Sequence, residues 1–284
     1  MALVSMNAFL PRAKKEGFAV GQFNVNNLEY FQAITEAAKE ERSPIIFGAS
    51  EGAIRYIGLE NVVALAEVAA KQADVPIALH LDHGSTFEVV IQCIRAGFSS
   101  VMFDGSHHPF EENIRLTKKV VEAAHAVGVS VEGELGTIGG VEDDLDVAEE
   151  DATIAKPAEA IHFWNETKVD ALAIAVGTAH GMYKGEPKIH FNIIDEVAKA
   201  VDAPIVLHGG SGVPDAAIQK AVSLGVGKIN VNTENQVASA QVVRELLAKN
   251  ESMIDPRKYL GPARDAIKEV VKGKMRLFGS SNKA

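Results

Sequence analysis

Residues 75–83 read "VPIALHLDH", and this stretch combines two patterns that rarely share one segment. The first half is apolar, as expected of a strand buried on both faces, whereas the last residues add two histidines and an aspartate. Burying titratable side chains costs free energy unless they are paired or open into a site. The stretch therefore predicts a buried parallel strand whose carboxyl end opens into a functional site.

Short apolar runs of the same kind recur along the chain. Seven more lie at 19–24, 44–50, 100–104, 129–135, 171–177, 204–210 and 228–233. Helical patterns separate them, and consecutive runs begin roughly 30 residues apart, about the length of a strand, a crossover helix and two loops. Eight such units predict an α/β protein, a single (β/α)8 TIM-barrel domain over residues 1–284 with an additional C-terminal helix at 262–278. An open, doubly wound sheet with a C-terminal appendage is the alternative.

The composition argues against several classes of protein. Apolar residues make up 47% of the 284 residues and charged residues 23%, which is ample for a large core. The formal net charge of −10 argues against a nucleic-acid or anionic-membrane binder, since both need a basic surface. Cys93 is the only cysteine, and no apolar stretch reaches the ~18 residues of a membrane span. Because the start also has no signal-peptide pattern, we expect a soluble, cytoplasmic protein.

Polar side chains collect at the carboxyl ends of the predicted strands, which is where barrels place their active sites. In chain order these positions are Asn24, Ser50, Asp82, His83, Asp104, Glu134, His180, His208 and Asn230. The amino ends of the predicted strands have few side chains suited to catalysis or metal binding. The residues at these ends are Pro44, Pro76, Ala171, Pro204 and Lys228. This asymmetry predicts a functional site on the carboxyl-end face of the barrel.

Three of the nine histidines, His83, His180 and His208, follow three different strands. Three histidines with an open fourth position are a ligand set of catalytic zinc, and Asp104 and Glu134 would add oxygen ligands or support the histidines. The alternative is that each histidine is an ordinary core or surface residue. That is our expectation for the remaining candidates, His107, His108, His125, His162 and His190.

Glycine-rich turns mark an anion site in the last two loops. "HGGSG" (208–212) and "NVNT" (230–233) each precede a predicted helix. Adjacent helix N-termini after the seventh and eighth strands form the usual phosphate site of a barrel, although the glycines could also serve only a tight turn. Two other segments, 136–155 and 177–189, are longer than the scaffold needs and are predicted to be lids or binding loops.

Schiff-base chemistry would require a lysine inside the barrel near the carboxyl end of a strand. Lys228 starts its predicted strand and Lys184 lies in a long loop, so neither is well placed. Any carbonyl chemistry would then need a metal as the electron sink. His80, two residues before Asp82, should share its strand face as a supporting residue.

Six segments are highly specific in combination: "LHLDHGSTFE", "MFDGSHHPFEEN", "GELGTIGGVEDD", "VGTAHGMYKG", "LHGGSGVP" and "KINVNTEN". Together they resemble the class II, zinc-dependent fructose-bisphosphate aldolases, a group shared with the tagatose-bisphosphate aldolases, and the resemblance covers nearly the whole chain. It implies reversible aldol cleavage of D-fructose 1,6-bisphosphate to dihydroxyacetone phosphate and D-glyceraldehyde 3-phosphate through a zinc-stabilised enediolate. The same reaction on D-tagatose 1,6-bisphosphate is the alternative.

The resemblance also implies a role for each matching residue. Asp82 would be the acid/base at the C4 hydroxyl, and Glu142 would move the proton bound to the triose carbon. The implied metal ligands are His83, His180 and His208 for zinc, with Asp104 and Glu134 for a second metal or an alternate zinc position. The implied substrate-binding residues are Asn24, Ser50, Gly181, Gly209, Gly210, Ser211, Asn230, Val231, Asn232, Thr233 and Arg257, the last from a partner subunit. A homodimer or homotetramer is expected, and a role for a monovalent cation stays open.

Two other functions stay open on the residues alone. A metal-dependent hydrolase on the same barrel would need His-x-His on the first strand, which instead reads "GQFNVN". A non-catalytic phosphosugar-binding protein would not need Asp82 and Glu142 beside three metal ligands.

Overall fold

The computed structural model describes residues 2–142, 145–148, 152–183 and 185–284, with the backbone alone for residues 141–142 and 145–146. Its strands, in chain order, are β1 (Val20–Asn24), β2 (Ile45–Ser50), β3 (Ile77–Gly84), β4 (Ser100–Phe103), β5 (Ser130–Leu135), β6 (Gly139–Glu142), β7 (Leu145–Val147), β8 (Ala171–Ile174), β9 (Ala179–His180), β10 (Ile205–Leu207) and β11 (Val226–Val231). Eight of them close into a parallel barrel in the order β1-β11-β10-β8-β5-β4-β3-β2. The closed barrel confirms the predicted (β/α)8 fold and excludes the open sheet.

Helices surround the barrel, and most barrel strands lead into one. In chain order they are α1 (Leu10–Glu16), α2 (Leu28–Glu41), α3 (Glu51–Ile57), α4 (Leu59–Ala73), α5 (Phe87–Ala96), α6 (Phe110–His125), α7 (Pro157–Thr167), α8 (Phe191–Ala200), α9 (Asp215–Ser223), α10 (Thr233–Lys249) and α11 (Arg257–Phe278). Among the residues that the structure describes, no helix is both long and apolar enough to cross a membrane.

The amino-terminal segment closes one end of the barrel. Met6 N–H donates to Ser130 Oγ at 3.1 Å, at the first residue of β5. Phe9 and Phe18 belong to an apolar cluster with Val206 from the barrel interior. Side chains therefore plug the amino end of the barrel, and the polar strand ends lie at the opposite, carboxyl end.

The seventh barrel strand is shorter than the predicted run 204–210, because β10 ends at Leu207. Gly209 has a φ of 64°, in the left-handed region that favours glycine, and a Cβ there would meet the backbone of Ala179. The glycines after β10 therefore belong to the loop, as the tight approach of two backbone segments requires.

The C-terminal helix begins earlier than predicted. It starts at Arg257 instead of residue 262, and Pro262 lies inside it. Asp255 forms the turn that leads into the helix, because its Oδ1 accepts the N–H of Arg257 at 3.1 Å and its carbonyl accepts the N–H of Lys258 at 3.0 Å. Apolar side chains at helical spacing then bury the inner face of α11 against α2 and α10, at Ala263, Ile267, Val271, Met275 and Phe278.

The two segments predicted as lids pair with one another. The strands β6, β7 and β9 form a separate three-stranded sheet, in which Gly140 of β6 lies opposite His180 of β9. Gly140 has a φ of 100°, and a side chain there would clash with the backbone of His180. This close approach fixes the position of His180. The sequence placed His180 just past the sixth barrel strand, and in the structure it lies there on the short strand β9.

Candidate active site

Three histidine rings meet at the carboxyl end of the barrel. His83 lies at the end of β3, His180 on β9 and His208 directly after β10. The centroid of the His83 ring is 4.7 Å from that of His208 and 5.1 Å from that of His180. One nitrogen from each ring lies within 4.8 Å of the others, an arrangement that could hold a metal ion. The structure therefore brings together the three histidines that the sequence singled out.

The end of β3 is distorted in a way that serves the site. Successive side chains of a regular strand point to opposite faces, so Asp82 and His83 would not both face one site. His83 instead has a φ of 50°, and the register between β3 and β4 shifts between Leu81 and Gly84. This irregularity explains how neighbouring residues both reach the same cluster, and strained backbone of this kind is typical of functional sites.

Carboxylates fix two of the histidine rings. Asp104 Oδ2 lies 2.8 Å from His83 Nδ1, and Glu132 Oε1 lies 2.9 Å from His208 Nε2. An ionised carboxylate only accepts, so each of these nitrogens carries a proton, and in the neutral ring that binds a metal the other nitrogen would carry the lone pair. Those two nitrogens, His83 Nε2 and His208 Nδ1, lie 3.0 Å apart. Two lone pairs facing one another at this distance fit a cation between them, and carboxylate–histidine pairs are the usual support of zinc ligands.

A second group of potential ligands adjoins the first. His83, Asp104 and Glu134 each offer a ligand atom within 4.8 Å of the others. Burial raises the pKa of Glu134 well above its ordinary value, and the charge of Asp104 raises it further. Burial disfavours a charge on His83, but the hydrogen bond that its Nδ1 donates to Asp104 and the charge of Asp82 prevail and raise its pKa. The field at this position favours a positive charge, as a cation site requires.

Asp82 is a buried, ionised carboxylate beside the histidines. Its Oδ2 accepts the amide of Asn24 at 2.9 Å and its Oδ1 that of Asn230 at 3.4 Å. Burial would raise the pKa of Asp82, but the charges of His83 and His208 outweigh it and hold this pKa well below the ordinary range. The carboxylate therefore stays ionised beside the histidines, in the form that can accept a proton from a group bound there.

The loops after β10 and β11 lie side by side, as predicted for an anion site. The N–H of Gly210 donates to the carbonyl of Asn230 at 3.0 Å, and Ser211 Oγ accepts the N–H of Glu234 at 3.3 Å. The helices α9 and α10 begin directly after these loops. Gly181 follows His180 with a φ of 89°, so the third loop also approaches with glycine backbone.

Tyr183 joins two of these loops, a contact that the sequence analysis missed. Its hydroxyl accepts the N–H of Ala179 and donates to the carbonyl of Gly209, both at 2.8 Å. Burial raises its pKa to about 12, so the phenol keeps its proton. The segment that carries His180 is thus tied to the segment that follows His208.

A polar layer beneath the site was also missed. It consists of side chains that are fully buried inside the barrel: Gln22, His80, Ser100, Glu132 and Lys228. His80 is a supporting residue, as predicted, because its Nδ1 lies 2.7 Å from Ser100 Oγ while burial lowers its pKa to about 3. The signal was present in the sequence as polar residues two apart in otherwise apolar strands, such as Glu132 with Glu134 and Lys228 with Asn230.

The sequence analysis placed Lys228 at the first residue of its strand, and this placement was wrong. β11 begins at Val226, two residues earlier than predicted, and the Lys228 side chain lies inside the barrel. Its Nζ is 2.8 Å from both Glu132 Oε2 and Asn230 Oδ1. These contacts hold the amine below the histidines, so the structure still favours a metal over a Schiff base.

Comparison with known proteins agrees with this geometry. A sequence model of class-II fructose-bisphosphate aldolases matches residues 4–283. The chain belongs to the class-II fructose-bisphosphate aldolase family. Members of this family are lyases, and a probable fructose-bisphosphate aldolase of Bacillus subtilis (strain 168) is 57% identical over 287 residues, covering 100% of both chains. The fructose-bisphosphate aldolase of Staphylococcus aureus (strain Mu50) is 54% identical with the same coverage.

Solved structures of aldolases share the fold. An aldolase of Escherichia coli K12 superimposes with a TM-score of 0.86 at 34% identity and covers 99% of each chain. A putative fructose-1,6-bisphosphate aldolase of Coccidioides immitis gives 0.89 at 31% identity, covering 98% of this chain and 96% of the other. The barrel of this aldolase-family chain is therefore the fold of aldolases of known structure.

Three further predicted residues of this aldolase-family chain remain to be placed. Ser50 Oγ accepts the N–H of Ala53 and caps α3, although Ser50 pairs with Asp82 in the barrel register. Arg257 is exposed and forms an ion pair with Asp255 at 2.9 Å. Glu142 ends β6, and its side chain lies outside the described residues.

Proposed function

We propose that the chain is a single-domain enzyme that cleaves D-fructose 1,6-bisphosphate reversibly into dihydroxyacetone phosphate and D-glyceraldehyde 3-phosphate. The observation that carries this proposal is the buried Asp82, held by Asn24 and Asn230, beside three converging histidines at the mouth of the barrel. Similarity to chains named fructose-bisphosphate aldolases over their full length supports this choice of substrate.

The residues fit a divalent metal, and we propose zinc on His83, His180 and His208. When bound, such an ion supplies a Lewis acid for the ketone and for the negative charge left when the C3–C4 bond breaks. Asp82 takes the proton of the C4 hydroxyl during cleavage and returns it during condensation. Asn24 and Asn230 hold the two oxygens of this carboxylate in place.

Most of the remaining predicted residues are assigned to phosphate binding, to proton transfer or to a second metal site. We propose that Gly181, the loop Gly209–Ser211 and the loop Asn230–Thr233 bind the phosphate of the triose half. Glu142 moves the carbon-bound proton of the triose, and Arg257 of a neighbouring subunit in a homodimer or homotetramer binds the second phosphate. Asp104 and Glu134 hold a second metal or an alternate zinc position, which the second ligand group supports. The reaction would run in the cytoplasm.

The deciding experiment is cleavage of fructose 1,6-bisphosphate and its tagatose epimer in parallel, before and after chelation and with zinc added back. We expect activity to disappear with the chelator, to return with zinc and to favour the fructose epimer. Chelator-resistant cleavage would contradict the metal mechanism, and faster cleavage of the tagatose epimer would reassign the substrate. No cleavage of either sugar by folded, zinc-loaded protein would refute the function.

A separate variant tests Glu142. Glu142→Ala should slow proton exchange at the triose carbon more than it slows carbon–carbon cleavage, because only the proton exchange needs that carboxylate. Equal slowing of both steps would remove Glu142 from its assigned role.

A further inference from the structure

Lys228 lies at the branch point of two polar chains inside the barrel. Its Nζ is 2.8 Å from Glu132 Oε2 and donates to Asn230 Oδ1 at 2.8 Å. Lys228 and Glu132 are completely buried, and Asn230 is only 3% exposed. A buried charge without partners is strongly destabilising. The buried ammonium of Lys228 therefore depends on its contacts with Glu132 and Asn230.

The first chain leads from Lys228 to a predicted metal ligand. Glu132 is the ion-pair partner of Lys228, and its other oxygen lies 2.9 Å from His208 Nε2. That contact keeps the proton of His208 on Nε2 and turns Nδ1 towards His83. Without Lys228, the Glu132 oxygen that faces the ammonium would lose its cation partner in the barrel interior, and the carboxylate would be driven to reorient.

The second chain leads to the predicted acid/base. Because an ammonium group only donates, its contact with Asn230 Oδ1 decides which way round the amide stands. The amide nitrogen of Asn230 then faces Asp82 Oδ1 at 3.4 Å. If the amide turned over, its oxygen would face the carboxylate of Asp82 and repel it.

We propose that Lys228 is a positioning residue that orients His208 through Glu132 and Asp82 through Asn230. One buried lysine thereby sets the ring of a metal ligand and the carboxylate that moves the proton. This inference rests on the proposed function and deepens it, since it explains how two groups on different strands keep a fixed relation. Lys228 acts through its contacts with Glu132 and Asn230.

The test compares Lys228→Met with the charge-balanced double variant Glu132→Gln/Lys228→Met. Lys228→Met removes the ammonium and leaves the carboxylate, so we expect Co²⁺ affinity, read from its d–d absorption, to fall roughly 10-fold to 100-fold. In the double variant the lone carboxylate is gone, so most of the metal affinity should return. Its kcat per bound metal should stay low by roughly 10-fold or more, because Asn230 is still unanchored.

A matched control separates positioning from stability. Lys14 is another lysine held by the fold, since its Nζ donates to the carbonyls of Ala198 and Val201 at 2.9 and 2.6 Å. Lys14→Met should lower the thermal midpoint without changing Co²⁺ affinity, the Co²⁺ spectrum or kcat. A folded Lys228→Met protein that behaves in the same way would overturn the inference.

Two further readouts keep the result interpretable. If Lys228→Met does not fold, the double variant Glu132→Gln/Lys228→Met tests the proposal by itself. A wild-type kcat per bound metal in the double variant would refute the second chain, from Lys228 through Asn230 to Asp82. The ¹⁵N shifts of the His208 ring report its tautomer in metal-free protein, and an unchanged tautomer in Lys228→Met would refute the first chain. Both the metal affinity and the tautomer can be measured even if the wild-type protein cleaves neither sugar, so failure of the proposed function is seen separately.

Discussion

Lys274 forms a 2.7 Å ion pair with Glu234 and thereby connects the C-terminal helix α11 to the loops at the mouth of the barrel. The same Glu234 oxygen accepts the N–H of Gly212 at 2.6 Å. The backbone N–H of Glu234 in turn donates to Ser211 Oγ. The helix that follows the eighth βα unit therefore supports the loop to which the phosphate site is assigned.

Replacing Lys274 should weaken substrate binding more than turnover. In Lys274→Met, Glu234 loses its partner and no longer holds Gly212 and Ser211 in one arrangement. We expect KM for fructose 1,6-bisphosphate to rise about threefold to tenfold, since a tenfold loss corresponds to about 1.4 kcal/mol, near the value of one charge-assisted hydrogen bond. Steady-state kinetics would show kcat nearly unchanged.

The neighbouring lysine on the same helix is the control for that prediction. Lys268 pairs with Glu40 at 3.2 Å, on the side of α11 that faces α2. Lys268→Met removes an ion pair of α11 without touching the anion loops, so KM should stay at the wild-type value. An equal rise of KM in both variants would mean that α11 acts through stability and not through Glu234.

Asp82→Asn should separate metal binding from proton transfer. The substitution keeps the size of the side chain but removes the base, so kcat should fall about 10²-fold to 10⁴-fold. Metal content, measured by mass spectrometry, should stay close to that of the wild type because Asp82 is not one of the converging ligands. Turnover within a few-fold of the wild type would rule out Asp82 as the acid/base.

His208→Ala should lower the amount of bound zinc. Its Nδ1 lies 3.0 Å from His83 Nε2, within the three-histidine cluster. His162→Ala on the outer helix α7 serves as the matched histidine control and should retain the metal. Dialysis against a graded series of chelator concentrations would measure both variants, and equal retention of zinc would remove His208 from the ligand set.

The sequence predicted the barrel and much of the site because both depend on local patterns. Strands buried on two faces are mostly apolar, and His83, His180 and His208 stand out at or just after the ends of such runs. The ends of β10 and α11 were misjudged for local reasons. Glycines with positive φ shorten β10, and the turn at Asp255 lets α11 begin at Arg257, ahead of Pro262.

Contacts across the barrel could not be predicted from the pattern of any single segment. Glu132 and Lys228 lie on β5 and β11, which are not neighbours in the sheet, yet their side chains meet in the interior. Tyr183 likewise joins two loops that are distant in the sequence. Such pairs follow from the closure of the barrel, which sets which strands face one another.

Carboxylates of α2 hold α11 in place through pairs that depend on pH. A hydrogen bond from Arg276 lowers the pKa of Glu41, and hydrogen bonds from Lys272 and then Lys268 lower that of Glu40. The folded-state pKa values therefore lie below the ordinary value of 4.5. In acid the unfolded chain takes up protons at these groups before the folded chain does.

The stabilisation from these pairs should be lost in acid. It is fully present above about pH 4.5 and disappears as the pH falls through the lowered folded-state pKa values. The thermal midpoint of Glu40→Gln/Glu41→Gln should therefore lie below that of the wild type at pH 7, and the two midpoints should converge as the pH falls below 4.5. Scanning calorimetry over this range would measure the gap, with high salt as a control that narrows it at pH 7. A gap that stays constant down to pH 3 would show that the glutamates stabilise α11 by packing and not by charge.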